Sequence, residues 1–255
     1  MPGRALWLIL ALLAAPAWGA ELYGPSAGVV PFGMGRAYTA VADDWLALHY
    51  NPAGLALVNG AEIQAFDLKI AANTDVYESY DNVKSFSDEG LANSLNRFVG
   101  KHVQANVDNI TQLTMPHFAL AARYDVNAEV DLQNMALPKT MARYTRDFTL
   151  MTGVAGALGK RKDLRFGIKI GRMVRRGGMR ELSIGEIVGT RASIIDQFQD
   201  QGSGWSTTLG AQYRLPTSGR TEVVLGWAWH DVGKTSFGAY SDVNRPTRVP
   251  ASIVV

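Results

Sequence analysis

From Leu164 to Val174 the chain alternates: Leu164, Phe166, Ile168 and Ile170 fall on one parity, Arg165, Gly167, Lys169 and Gly171 on the other. An extended strand sends successive side chains to opposite faces, so such a segment has one oily face and one charged or bare face. Trp205 to Leu215 repeats the pattern, with Trp205, Thr207, Leu209, Ala211 and Tyr213 against Ser206, Thr208, Gly210 and Gln212. Val223, Leu225, Trp227 and Trp229 alternate with Val224, Gly226, Ala228 and His230. Weaker alternation runs from Ile63 to Ile70, Phe118 to Asp125 and Tyr144 to Leu158. Segments of about ten residues match what a tilted strand needs to cross a bilayer.

Soluble sandwiches also alternate, so the period alone does not choose. Gly167, Gly171, Gly210 and Gly226 lie on the polar parity, where a soluble barrel would place bulky apolar residues. Trp205, Tyr213, Trp227 and Trp229 lie on the apolar parity, as interfacial aromatics do. The N-terminus has the order of an export signal: Arg4, an apolar run from Ala5 to Ala15, then Pro16 and the small residues of Ala17-Trp18-Gly19. That run is about 11 residues, short of the roughly 20 a spanning helix needs. The expected fold is therefore all-β, an antiparallel transmembrane β-barrel in a bacterial outer membrane, with residues 1–19 removed near Gly19.

With no cysteine, disulfides, lipoprotein attachment and cysteine-based sites are excluded. The net charge is +2 and the basic residues are scattered among apolar ones, which argues against a nucleic-acid partner. Outer-membrane lipid is the expected surrounding.

Leu91, Leu95, Phe98, Val99, Val103, Val107 and Ile110 are spaced as on one face of a helix. They predict an amphipathic helix within a loop at about 76–114, packed over the barrel mouth or receiving a hydrophobic solute on Leu91, Leu95, Phe98, Val99 and Val103. A second helix is expected at 187–199. Turns are expected at Gly159–Asp163, Arg176-Gly177-Gly178 and Pro216–Gly219.

Residues 20–60 are the most distinctive. Gly33 to Ala56 carries small residues, Gly35, the pair Asp43-Asp44 and then Asn51-Pro52-Ala53-Gly54-Leu55. Small residues suit a short helix in a confined space, and the residue before a proline is pushed out of the α region, so the helix should end at Asn51. Gly54 should free the chain to turn toward a first strand near Ala61. Asp43-Asp44 should cap a turn or pair with a lumen arginine.

This stretch resembles the N-terminal hatch of FadL-type outer-membrane transport proteins, a pattern shared by the PorV-like proteins of secretion systems. Asp231-Val232-Gly233 and Arg248-Val249-Pro250-Ala251-Ser252 resemble recurring strand boundaries of the same family. The resemblance implies a barrel of about 14 strands, within the even-numbered range of such proteins, with the N-terminal segment as a plug. Asn51, Pro52 and Ala53 fall on the family's hatch sequence. Only about eight strands are visible over residues 61–255, and Val255 falls inside what reads as a new strand, so a C-terminally incomplete member is expected.

The resemblance implies a passive channel for hydrophobic small molecules of the fatty acid or hydrocarbon class. The alternative is a PorV-like component that binds protein cargo for a secretion system. No metal or catalytic motif stands out, and His49, His102, His117 and His230 lack ligand spacing, so neither enzymatic activity nor a cofactor is expected. The remaining alternative is an outer-membrane serine hydrolase using Ser206 and His230, which lie on neighbouring strands at polar parity. Arg143, Arg165, Lys169, Arg172 and Arg214 are expected as lumen charges, some pairing with Asp147, Glu222 or the hatch aspartates.

Overall fold

A computed structural model describes residues 28–35, 37–74, 102–132, 139–159, 161–183, 200–216, 222–239, 246, 249 and 251–254. The proposed leader, the helix at 187–199, the 217–219 part of the expected turn and Leu91, Leu95, Phe98 and Val99 lie outside these residues.

The chain is mostly antiparallel β-sheet. Its strands are β1 (Glu62–Ala72), β2 (His102–Met115), β3 (Phe118–Leu132), β4 (Lys139–Leu158), β5 (Leu164–Ser183), β6 (Gln201–Leu215), β7 (Val223–His230), β8 (Gly238–Ala239) and β9 (Ser252–Val254). They pair in chain order from β1 to β7, β9 follows β7, and β8 adds to β6. Before the sheet come α1 (Val29–Gly33), α2 (Ala47–Tyr50) and a 3-10 helix at Pro52–Leu57. Among the described residues no helix is long and apolar enough to cross a membrane.

The two faces differ as the alternation requires. On one face Ile70 is 71% exposed, Trp205 65% and Leu158 59%. On the other, Asp108 is 2% exposed and Gln212 1%. Hydrophobic burial stabilises a water-soluble sheet by covering its oily face. Here the polar face is covered and the oily one bare. The exposed face is apolar on β4 from Phe148 to Leu158, opposite Leu164 to Val174 of β5. Its margin carries cations over rings: Arg146 lies 5.4 Å from the Tyr124 ring and Arg172 5.8 Å from Trp205. Arg172 is thus not a lumen charge. It shares the parity of Ile168 and Ile170, and its guanidinium rests on an aromatic face at the band's margin.

Two further expectations are corrected. Residues 102–114 are strand, not helical loop, so Val103 and Val107 lie on β2 and face outward. Arg176-Gly177-Gly178 lies within β5 rather than at a turn. Gly177 holds φ 95° there, and a Cβ at that position would come within 2.1 Å of the Tyr144 carbonyl oxygen. Only glycine accommodates that approach.

Candidate functional site: the stoppered polar face

The N-terminal segment crosses the polar face and packs on it. Tyr38, Ala42, Leu46, Leu48, Tyr50 and Leu55 form a buried cluster with Ile110, Ala119, Ala121 and Met151 of the sheet. The wall receives this segment through missing side chains. A Cβ at Gly167 would lie 2.2 Å from the carbonyl carbon of Pro52, one at Gly210 2.1 Å from Asn51 Oδ1, and one at Gly226 2.4 Å from Ala40 Cα. Gly153 would meet Leu48 at 2.5 Å. Four glycines on β4 to β7 therefore form the seat.

The segment's local structure follows from its residues. Helix α2 ends at Asn51, whose backbone is extended (φ −151°, ψ 102°) ahead of Pro52. The chain then forms a 3-10 helix, which the sequence reading did not foresee. Gly54 serves there by its size: a Cβ would fall 1.9 Å from the Ala42 carbonyl oxygen. Asp44 Oδ1 accepts the Leu46 N–H at 2.9 Å, the expected capping role. The Tyr38 hydroxyl also donates to Asp44, and burial pushes both the phenol and the carboxyl above their ordinary values. Asp43 is exposed, and Gly35 takes a positive φ of 61° just past α1.

Amides fasten the segment to the wall. Asn51 Nδ2 donates to Thr39 O at 2.9 Å and to Ala211 O of β6 at 3.1 Å, while its Oδ1 accepts the Ala53 N–H at 3.1 Å. Gln212 Nε2 lies within 3.2–3.3 Å of the Thr39, Ala40 and Ala42 carbonyls. Gln112 Nε2 donates to Trp45 O at 2.6 Å, leaving its Oε1 to accept from His49 Nε2 at 2.8 Å. Burial holds His49 at a pKa of about 3, helped by the nearby Lys169 and Arg123 cations, so its imidazole is neutral. Neither glutamine was singled out from sequence. Their signal was a long amide on the polar parity beside small residues.

Beside the seat, the polar face opens on a cavity of about 570 Å³, touched by residues of β1 through β7. The sheet must curve around it. Ion pairs run across this part of the wall: Asp108 with Arg123 at 2.8 Å and Lys69 at 3.6 Å, Asp147 with Arg175 at 2.6 Å, and Glu129 with Arg143 at 3.4 Å. Of the expected lumen charges, Arg143, Arg165 and Lys169 lie on the covered face. Arg165 reaches Gln212 Oε1 at 3.5 Å. Arg214 shares that parity on β6 and sits half-exposed near the strand end, 3.1 Å from Glu222. Ser206 and His230 both border the cavity, but the Ser206 hydroxyl donates to Asp231 Oδ1 at 2.6 Å. That bond directs the hydroxyl at an acid rather than at an imidazole base. Among the described residues no group of three or more histidine, cysteine or acidic side chains is placed to hold a metal ion.

No protein-family model, curated protein or solved structure matches this chain.

Proposed function

We propose that the chain forms an outer-membrane β-barrel whose lumen is stoppered by its N-terminal segment, and that it serves passive uptake of small molecules. The observation that carries this is the inverted sheet: oily side chains uncovered on one face, and a polar face closed by residues 37–58. Uncovered leucines and tryptophans are stable where the surrounding medium is hydrocarbon, and a charged face is stable where it meets water or its own partners. Arginines over aromatic rings at the band's margin suit the interface between the two. The solute class follows from the resemblance of Gly33–Ala56 to FadL-type hatches, which points to hydrophobic small molecules.

Purified chain should stay folded only in detergent or lipid, and its mobility on a gel should change when it is heated. A mature chain that is monodisperse in buffer without detergent would sink the proposal. Uptake is then tested in cells: deletion should slow entry of a fatty acid or aromatic hydrocarbon.

The fastening of the stopper favours a second reading. A segment seated on four glycines and held by Asn51, Gln112 and Gln212 suits a non-conducting, PorV-like component that presents its loops to secreted proteins. Co-purification with secretion components, with uptake unchanged on deletion, would choose this reading over the first.

A further inference from the structure

The oily face carries charge of one sign. In the register of β1 to β7, the charged residues that share parity with Ile168 and Ile170 are Arg146 on β4 and Arg172, Arg176 and Arg180 on β5. The acids of these strands, among them Asp108, Asp125, Glu129 and Asp147, take the covered parity. Arg180 has a partner in Asp200 at 3.4 Å. Arg146, Arg172 and Arg176 are exposed, and among the described residues none of them has an ion pair. Arg146 and Arg176 stand directly opposite each other on neighbouring strands, where like charges repel. From Phe148 to Leu158 the oily run of β4 covers about 33 Å at roughly 3.3 Å per residue, or about 25 Å across a membrane at the usual tilt. That is the height of a barrel's apolar band, so Arg146 and Arg176 stand just beyond it, at the level of lipid headgroups. Arg172 lies inside the edge with its guanidinium on Trp205, from where a long side chain reaches the interface.

We propose that Arg146, Arg172 and Arg176 bind a membrane lipid whose headgroup ends in a phosphate monoester. Guanidinium forks match phosphate oxygens, and a monoester offers three of them with close to two negative charges. A phosphate between Arg146 and Arg176 turns their repulsion into two attractions, and its acyl chains lie on the oily band below. A diester brings one charge and shields it with a second substituent. The leaflet follows from the connections. The arginines lie away from the short links Met115–Phe118 and Leu158–Leu164, toward the long ones, Ala72–His102 and Ser183–Gln201. Long connections of outer-membrane barrels face the outside, which places the site in the outer leaflet. The inference rests on the reading of the chain as a membrane barrel and is independent of what the lumen carries.

The test titrates the full chain, purified in neutral detergent, with phosphatidic acid, phosphatidylglycerol and phosphatidylcholine of identical acyl chains, and reads lipid adducts by native mass spectrometry. Phosphatidic acid should bind about tenfold or more tighter than phosphatidylcholine, at about fivefold for each arginine near a lipid surface, with phosphatidylglycerol between them. Arg146→Gln combined with Arg176→Gln should abolish that order. Arg161→Gln combined with Lys162→Gln, an equal loss of charge in the turn at the opposite end, should retain it. Where the arginine pair does not fold, an arginine-selective label on the wild-type chain gives the same answer, because phosphatidic acid should protect Arg146 and Arg176 and phosphatidylcholine should not. Equal binding of the three lipids, a preference that survives in the arginine pair or is lost in the turn pair, or absent protection would overturn the site. Displacement of the lipid by inorganic phosphate would overturn the lipid as its occupant. Heat-modifiable gel mobility, read on the same samples, reports the barrel separately from the lipid.

Discussion

The covered face has two regions that share parity and strands but not chemistry. Under the stopper, the inward positions of β4 are Gly153, Ala155 and Ala157, and those of β5 are Arg165 and Gly167. Around the cavity the same strands place Asp147, Thr149 and Met151 opposite Arg175, Met173 and Gly171, with Lys169 beyond. The first region meets polypeptide, so it is kept small, and its amides are matched to carbonyls of the stopper. The second meets a cavity, so it carries charges that pair with one another. Position along the strand, rather than the choice of face, separates a seat for the N-terminal segment from the wall of a cavity.

Substitutions can break that contrast. The largest effect is expected from Gly167→Val, whose side chain would collide with the Pro52 backbone. It should cost about 3 kcal/mol, as overpacking does, and expose residues 37–58 to protease in the otherwise folded protein. Native-like protection of that segment would show that the seat is not needed.

His49 should give the next effect. Its folded pKa of about 3 lies below the ordinary 6.5, so the unfolded chain takes up a proton first as pH falls. The stability it contributes is complete above about pH 6.5 and is lost progressively toward pH 3. Wild-type protein should lose roughly 2 kcal/mol between pH 6.5 and 5 relative to His49→Gln, measured by denaturant unfolding at each pH. Parallel curves for the two proteins would remove His49 from the account.

In the cavity region the cost should be smaller. A double-mutant cycle on Asp147→Asn and Arg175→Met should return a coupling of about 1 kcal/mol, because water in the cavity screens a pair that a dry seat would not. A coupling as large as the Gly167→Val penalty would mean the two regions are equally dry. The smallest effect belongs to Gly156→Ala on the exposed face, where a Cβ meets nothing within 4 Å. Its change in stability should stay within about 0.5 kcal/mol, and a large loss would show that something covers that face.

Much of this was legible in the sequence. Strict alternation placed β5 to β7 and put Gly167, Gly210 and Gly226 on the polar parity, but that these glycines seat the N-terminal segment is visible only in the contacts. Asn51-Pro52 located the end of α2. The errors have physical causes. Val99, Val103 and Val107 are four apart, a spacing that fits one helix face and also one strand face, because four is a multiple of two. On β2 the strand prevailed, with Val103 and Val107 facing outward. Gly177-Gly178 looked like punctuation, but the pair lies inside a continuous ladder whose neighbour presses on it. The amide fastenings left only a faint local signal, because their partners are remote: Gln212 meets Ala42 from 170 residues away.

That separation bears on how the molecule assembles. Asn51 and Pro52 rest on Gly167 and Gly210, and Ala40 rests on Gly226, so the earliest part of the described chain has its docking partners in β5, β6 and β7. Contacts so distant in sequence form slowly, since a long loop must close before they return any energy. The segment must therefore wait, unseated, until most of the sheet has paired. Until then Leu48 and Leu55 are uncovered, and a chaperone that shields residues 37–58 through that interval would speed maturation more than one that holds the strands.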